Sequence, residues 1–214
     1  ILWFLPAPAG LKPQAWHLLA IFVATIIGFI LQPLPIGAIA FISLSIAGLT
    51  KTLTPAEALN GFGQSIMWLI VSAFVFALSF IKTGLGKRIA YKIMGAIGDS
   101  SLKLGYALVL SDLVIAPATP SNTARAGGIM YPIVRSLCSA FGSEPGESSR
   151  KIGSYLMKTA FQGNTITSAM FLTSVAPNTL VAVLALQTAK VQISWGTWAL
   201  AAVLPGLISL AIVP

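Results

Sequence analysis

The 214-residue chain is 56% hydrophobic and 8% charged, with a mean hydropathy of +0.88 and a formal net charge of +8. A soluble domain carries about 25% charged residues, so water-facing surface is excluded for most of the chain and lipid is the expected solvent. The Lys and Arg residues are spread through short loops and not gathered on one face, which argues against nucleic acid, and a single Cys (Cys138) with a single His (His17) leaves no intrachain disulfide and no metal cluster of the usual kind.

Residues 1–5 (ILWFL) are the expected tail of a truncated helix, ended by Pro6, Pro8 and Gly10. They lack the basic n-region and cleavage site of a signal peptide. The start at Ile1 and the last apolar run, stopping at Pro214, lead us to expect a fragment of a longer protein. Residues 15–32 have spanning length, since about 20 residues cross a bilayer, and Pro33 and Pro35 break the run. Residues 36–50 are apolar but short, which predicts a broken or tilted helix. Residues 51–63 are polar loop, with a helical turn capped at Thr54 before Pro55, Ala56 and Glu57. Residues 64–81 are a second expected span, with Gln64 and Ser65 simply at its start.

Residues 82–103 carry Lys82, Lys87, Arg88, Lys92 and Lys103 against Asp99. The middle of this stretch is amphipathic, which predicts an interfacial helix over 83–98, and the excess of cations places it in the cytoplasm. A second basic loop, 135–158, carries Arg135, Arg150, Lys151 and Lys158 against Glu144 and Glu147. Two cytoplasmic loops cannot flank a single crossing, so the apolar stretch 104–134 must enter and return. Its middle, APATPSNTARAGG, breaks helices. The expectation is a re-entrant helical hairpin with its tip near 117–123; two ordinary helices with a very short outer turn are the alternative. Each arm of about 15 residues reaches roughly 22 Å, short of a full crossing. Residues 155–188 are an interrupted helix, broken at 173–179, and 194–213 a further span with Trp195 and Trp198 as interface anchors.

Residues 64–214 thus hold three crossings and a hairpin. An odd number of crossings means that a following second copy would be inverted, as in many secondary transporters. The fold class is therefore an all-α polytopic membrane protein, the N-terminal half of an inverted-repeat transporter, with the second repeat expected beyond Pro214.

Irregular backbone at membrane depth survives only where protein or a water-filled cavity satisfies it. The two breaks carry Thr119, Ser121, Asn122 and Thr123, and Thr173, Ser174, Asn178 and Thr179. A helix starting after Pro120 offers free backbone N–H groups and a positive dipole end, a site for carboxylates; the plainer account makes Ser121 an N-cap. Gly127 and Gly128 are suited to close helix packing. Arg125, one turn past the tip, is costly in hydrocarbon. It either holds a substrate carboxylate, stands in for a coupling cation, or bridges to Asp112 on the other arm. Asn164, Thr165, Thr167 and Ser168 either line a cavity or bond between helices. His17 has no assigned role. A membrane enzyme would need a nucleophile with a base, or a metal cluster, at depth, and the sequence offers neither.

The segment Pro120-Ser121-Asn122-Thr123-Ala124-Arg125-Ala126-Gly127-Gly128 resembles the first Ser-Asn-Thr signature of the divalent anion:sodium symporter (DASS) family. Pro13-Gln14-Ala15-Trp16-His17, the run from Gly84 to Ala90 and Ala176-Pro177-Asn178 are similar to its exchanger branch of citrate:succinate antiporters and plastid 2-oxoglutarate/malate translocators. The resemblance implies a homodimer when full length, with residues 1–63 as scaffold helices and a transport domain moving elevator-fashion. It implies exchange of 2-oxoglutarate, malate, succinate or citrate, in a bacterial inner membrane or a plastid inner envelope. Ser121, Asn122, Thr123, Thr173, Ser174 and Asn178 are the expected substrate-binding residues, with Arg125 as cation-replacing or charge-compensating group. The family's sodium-coupled members place Thr-Gly where this chain has Thr173-Ser174, and often serine where it has Pro117. Those departures, with Arg125, imply exchange with no sodium and no other cofactor; a sodium-coupled dicarboxylate symporter of the same fold is the alternative.

Overall fold

The computed structural model describes residues 2–214, apart from the side chains of Ser65 and Ile66. Every regular element among them is helical, and the chain packs as two compact units, Ile1–Met67 and Trp68–Pro214.

In the first unit, Leu2–Phe4 form a 3-10 turn, followed by α1 (Pro13–Leu31) and α2 (Ile36–Leu49). Pro13 opens α1, where a missing N–H costs nothing. Its C-cap Gln32 is left-handed, at φ 47°. α2 is one unbroken helix of 14 residues, not a broken one. The two helices meet where Thr25 Oγ1 donates to Ser43 Oγ at 2.7 Å and where Gly28 leaves room for Ile39. Trp3 stacks on His17 at 4.1 Å between ring centroids. The expected capped turn is α3 (Pro55–Leu59), whose N-cap Thr54 and Glu57 form a reciprocal capping box. Hydrogen bonds from the Thr54 backbone and hydroxyl hold the Glu57 carboxyl below its usual range.

The second unit takes most of α4 (Ser65–Lys82), then α5 (Leu85–Ile97) and α6 (Ser101–Ile115). A 3-10 turn (Ala116–Ala118), α7 (Asn122–Arg125), a π-turn (Ala126–Met130) and α8 (Tyr131–Ala140) follow. α9 (Gly153–Met170), α10 (Ala176–Ala189) and α11 (Trp195–Ile212) complete it.

The direction of the hairpin arms follows from what each touches along α9. A Cβ on Gly105 would meet Tyr155, and one on Gly163 would meet Val109, while Asp112 bonds Asn164 and Thr167. Rising numbers in α6 therefore track rising numbers in α9, so the two run parallel. On the return arm Arg125 bonds Thr167 and Ser168, while a Cβ on Gly153 would lie 3.3 Å from Cys138. That arm is antiparallel to α9, so α6 and α8 are antiparallel to each other. Both roots lie at the end where α9 begins. Leu104, Leu108, Ile133, Val134, Cys138 and Leu156 share one apolar core there.

Three expectations are corrected. The outgoing arm starts at Ser101 and, with its 3-10 turn, runs to Ala118; at 18 residues it is long and apolar enough to cross a membrane. Arm length therefore gives no support to re-entry; the packing order along α9 shows only that the chain turns back on itself, with both roots at one end of that helix. The break in the interrupted helix lies at 171–175, ahead of the expected 173–179, because Pro177 sits in the first turn of α10 and starts that helix. Gly127 and Gly128 mark no tight crossing: a Cβ on Gly127 meets nothing within 4 Å, and one on Gly128 only ordinary contact with Ile81. Close crossings fall at Gly105, where a Cβ would run into Tyr155, and at Gly86, Gly163 and Gly206, where one would come within 2.7, 2.6 and 2.6 Å of Ile129, Val109 and Met170.

Large apolar side chains face outward: Ile30, Phe41, Phe161, Leu200 and Ile212 are all exposed, whereas Arg125, Asp112, Thr167 and Ser174 are buried. Water would reverse that distribution. Three helices among the described residues, Pro13–Leu31, Ser101–Ala118 and Trp195–Ile212, are long and apolar enough to span a bilayer. The chain is a multi-pass integral membrane protein.

Candidate functional site

The two breaks in the second unit come together. Ala116 and Pro117 close the outgoing arm in a 3-10 turn, Thr119 is extended, and Ser121 caps the returning helix, its Oγ accepting from Ala124 N at 3.2 Å. Asn122 Oδ1 accepts from Thr123 N at 2.8 Å, and Arg125 N donates to Ser121 O. The expected bare helix start is thus partly dressed by the short side chains of its own motif. Ser121 and Asn122 are half-buried and Thr123 is exposed.

The second break contributes differently. Thr173 Oγ1 donates to Pro117 O at 2.9 Å and accepts from Trp195 Nε1 at 3.1 Å. Ser174 Oγ donates to Ser168 O in the last turn of α9 and to Phe171 O at 2.7 Å. Asn178 Nδ2 donates to Ser168 O at 2.8 Å and Phe171 O at 2.9 Å, capping the last carbonyls of α9. These three expected substrate ligands hold the breaks in place here, while Ser121 and Asn122 cap the start of the returning helix.

Arg125 lies between the breaks, fully buried. Its Nε donates to Asp112 Oδ1 at 2.9 Å. One terminal nitrogen donates to two backbone carbonyls, Thr119 O at 3.1 Å and Ser174 O at 3.3 Å. The other donates to Thr167 Oγ1 at 3.3 Å and Ser168 Oγ at 2.8 Å. A guanidinium has five N–H donors, and all five are used. Of the three roles open to Arg125, the bridge to Asp112 is made, direct capture of a substrate carboxylate has no donor left in this arrangement, and the oxygen set is of the kind that surrounds a bound cation.

Asp112 is held in turn. Asn164 Nδ2 lies 3.3 Å from each carboxylate oxygen and Thr167 Oγ1 donates to Oδ2. Of the polar residues crowded on α9, Asn164, Thr167 and Ser168 are therefore buried bonding groups, whereas Thr165 is exposed and bonds Phe161 O. At the two breaks one buried oxygen is left over: Thr119 Oγ1 has no hydrogen-bond partner among the described residues.

Sequence patterns missed the contact of Trp195 with Thr173, because a tryptophan at a helix start in a membrane protein already has a sufficient account as an interface anchor. They also missed that Asn164 and Thr167 clamp Asp112. The available signal was their spacing of three, which puts both on one face of α9.

Comparison with known proteins places these features in a family. The family described as the sodium:sulfate symporter transmembrane region matches residues 1–214. A Bacillus subtilis (strain 168) protein whose name provisionally makes it a malate transporter is 58% identical, over all of this chain and 45% of the relative. A chloroplastic protein named dicarboxylate transporter 1, of Arabidopsis thaliana, is 55% identical over all of this chain and 39% of its own length. A citrate/succinate antiporter of Escherichia coli (strain K12) is 39% identical over all of this chain and 48% of its own length. The chain spans under half the length of these relatives.

Proposed function

The chain belongs to the sodium:sulfate symporter transmembrane family, and from that we propose that it is part of a secondary transporter exchanging di- and tricarboxylate anions such as malate, 2-oxoglutarate, succinate or citrate. The substrate class is carried from the names of the dicarboxylate transporter and the citrate/succinate antiporter among its relatives. The substrate carboxylate docks at the helix start of Ser121, Asn122 and Thr123, where amide donors and hydroxyls supply positive potential without net charge. Thr173, Ser174 and Asn178 hold the second break against it.

The observation that carries exchange over sodium coupling is the cage around Arg125: two backbone carbonyls, two hydroxyls and one carboxylate, all turned on a covalently fixed cation. A mobile cation in that place would tie both breaks together only when bound. A guanidinium ties them permanently, so the site needs no sodium, and the driving force must come from the counter-substrate. Asp112 neutralises the guanidinium, which lets the pair stay buried. Its role is then cation replacement inside the scaffold of the site, with charge compensation limited to Asp112. Movement is elevator-like, with the hairpin and the broken helix travelling as one body, and the working unit is a homodimer of the longer protein.

Counterflow of labelled malate into proteoliposomes loaded with unlabelled dicarboxylate tests this reading on the full-length protein. Exchange in sodium-free buffer supports it. Uptake that needs a sodium gradient and no internal substrate contradicts it.

A further inference from the structure

α5 presents two unlike faces. Gly86, Ala90 and Met94 are buried against the hairpin, and Ala90 and Met94 share its core. Leu85, Arg88, Tyr91 and Lys92 face outward, with Lys82 exposed just ahead and Lys87 half-buried at the edge. Leu85 is 46% and Tyr91 51% exposed, so apolar and cationic groups alternate along one stripe. At this end of the unit the acids Asp99 and Glu144 pair with Lys103 and Arg135. Lys82, Lys87, Arg88 and Lys92 have no ion-pair partner among the described residues.

The orientation of α5 says what those cations meet. The start of α5 touches Ile129, four residues past Arg125; its end touches Leu104, eight residues before Asp112. Arg125 and Asp112 are at one depth, being hydrogen-bonded. Along α5, about 20 Å long, the depth in the hairpin therefore changes by only about 6 Å. The helix runs nearly across the arms, between the end of α4 at Lys82 and the start of α6 beside Lys103; with the arms along the bilayer normal, it lies along the membrane surface. Lysine and arginine at that level, with a tyrosine between them, meet headgroups.

We infer that the outer face of α5 is a docking surface for the phosphodiester headgroups of anionic phospholipids in the leaflet at the hairpin root, with Lys87, Arg88 and Lys92 as the principal contacts. The apolar stripe of Leu85 and Tyr91 enters the acyl boundary, and the cations take the phosphates. The buried face of α5 is part of the hairpin core, so the lipid grips the body that carries the site. That last link rests on the function proposed above; the binding itself does not.

The test uses the full-length protein in phosphatidylcholine vesicles with and without phosphatidylglycerol, reading the lipid retained after mild detergent extraction and, separately, the counterflow rate. Wild type is expected to retain phosphatidylglycerol over phosphatidylcholine, and the K87Q/R88Q/K92Q variant to lose that preference about tenfold. A K87R/R88K/K92R variant keeps it. High salt weakens it in wild type, an arm that needs no variant to fold. Equal retention of phosphatidylglycerol by the glutamine variant, or retention in wild type that ignores salt, overturns the inference. A preference present in wild type and lost in the glutamine variant, with no counterflow by wild type in any vesicle, leaves the lipid site standing and counts against the transport function alone.

Discussion

Arg125 Nε donates to Asp112 Oδ1 across the two arms of the hairpin, at 2.9 Å, with neither residue reachable by solvent. The two are thirteen residues apart in a chain that turns through Pro117 and Pro120 between them. The pair fixes how far the arms slide past each other, and the other donors of the same guanidinium fix the hairpin to α9 and its break.

Removing one member of such a pair costs about 3–5 kcal/mol, because the other is left charged and buried, while replacing both with apolar groups is often neutral. Asp112→Leu alone is therefore expected to lower the melting temperature in detergent sharply. Asp112→Leu with Arg125→Met recovers most of it, without restoring exchange.

Emptying the cage tests its chemistry. Arg125→Ala leaves Asp112, Thr167 and Ser168 facing the carbonyls of Thr119 and Ser174 across a space shaped for a cation. Sodium or guanidinium in the buffer is expected to stabilise this variant and not wild type, by about 2.7 kcal/mol at a hundredfold excess over the dissociation constant. A melting temperature that ignores both ions contradicts the cage.

Thr119 carries a buried hydroxyl with no partner among the described residues. An unsatisfied buried polar group costs about 1–3 kcal/mol, so Thr119→Val, equal in shape, is expected to raise stability by about 1 kcal/mol and leave counterflow intact. A loss of exchange with unchanged stability would give the hydroxyl a part in the transport cycle.

The glycines separate by what a methyl group meets. Gly163→Ala puts a Cβ 2.6 Å from Val109 Cγ1, beside Asn164 and its bond to Asp112. Such overpacking costs about 1–3 kcal/mol, and exchange falls as Asn164 shifts. Gly127→Ala meets nothing and is expected to be neutral or mildly stabilising. Chemical denaturation of both variants checks the contrast.

The membrane class, the capped helix starts at Thr54 and Ser121 and the hairpin tip were legible in the sequence because their causes are local. Apolar runs have a length, Pro120 cannot continue a helix, Ser121 and Thr54 are capping residues. Which carbonyls Arg125 reaches depends on α9 lying parallel to one arm and antiparallel to the other, and no local pattern in α9 states that. The glycines misled for the same reason. Gly127-Gly128 has the look of a packing motif, but the tight crossings fall on isolated glycines whose partners are distant in sequence. The start of the outgoing arm was set too late because Ser100 caps the helix ahead of Lys103, inside what composition alone marks as loop.

The roots of both hairpin arms lie at the end where α9 begins, so Ser100 and Ala140, both exposed, must face the same side of the bilayer. Single cysteines at these two positions, in a full-length Cys138→Ala background, are to be labelled in oriented vesicles with a membrane-impermeant maleimide. The account predicts that one face of the membrane labels both. Labelling of Ser100→Cys from one face and Ala140→Cys from the other would contradict it.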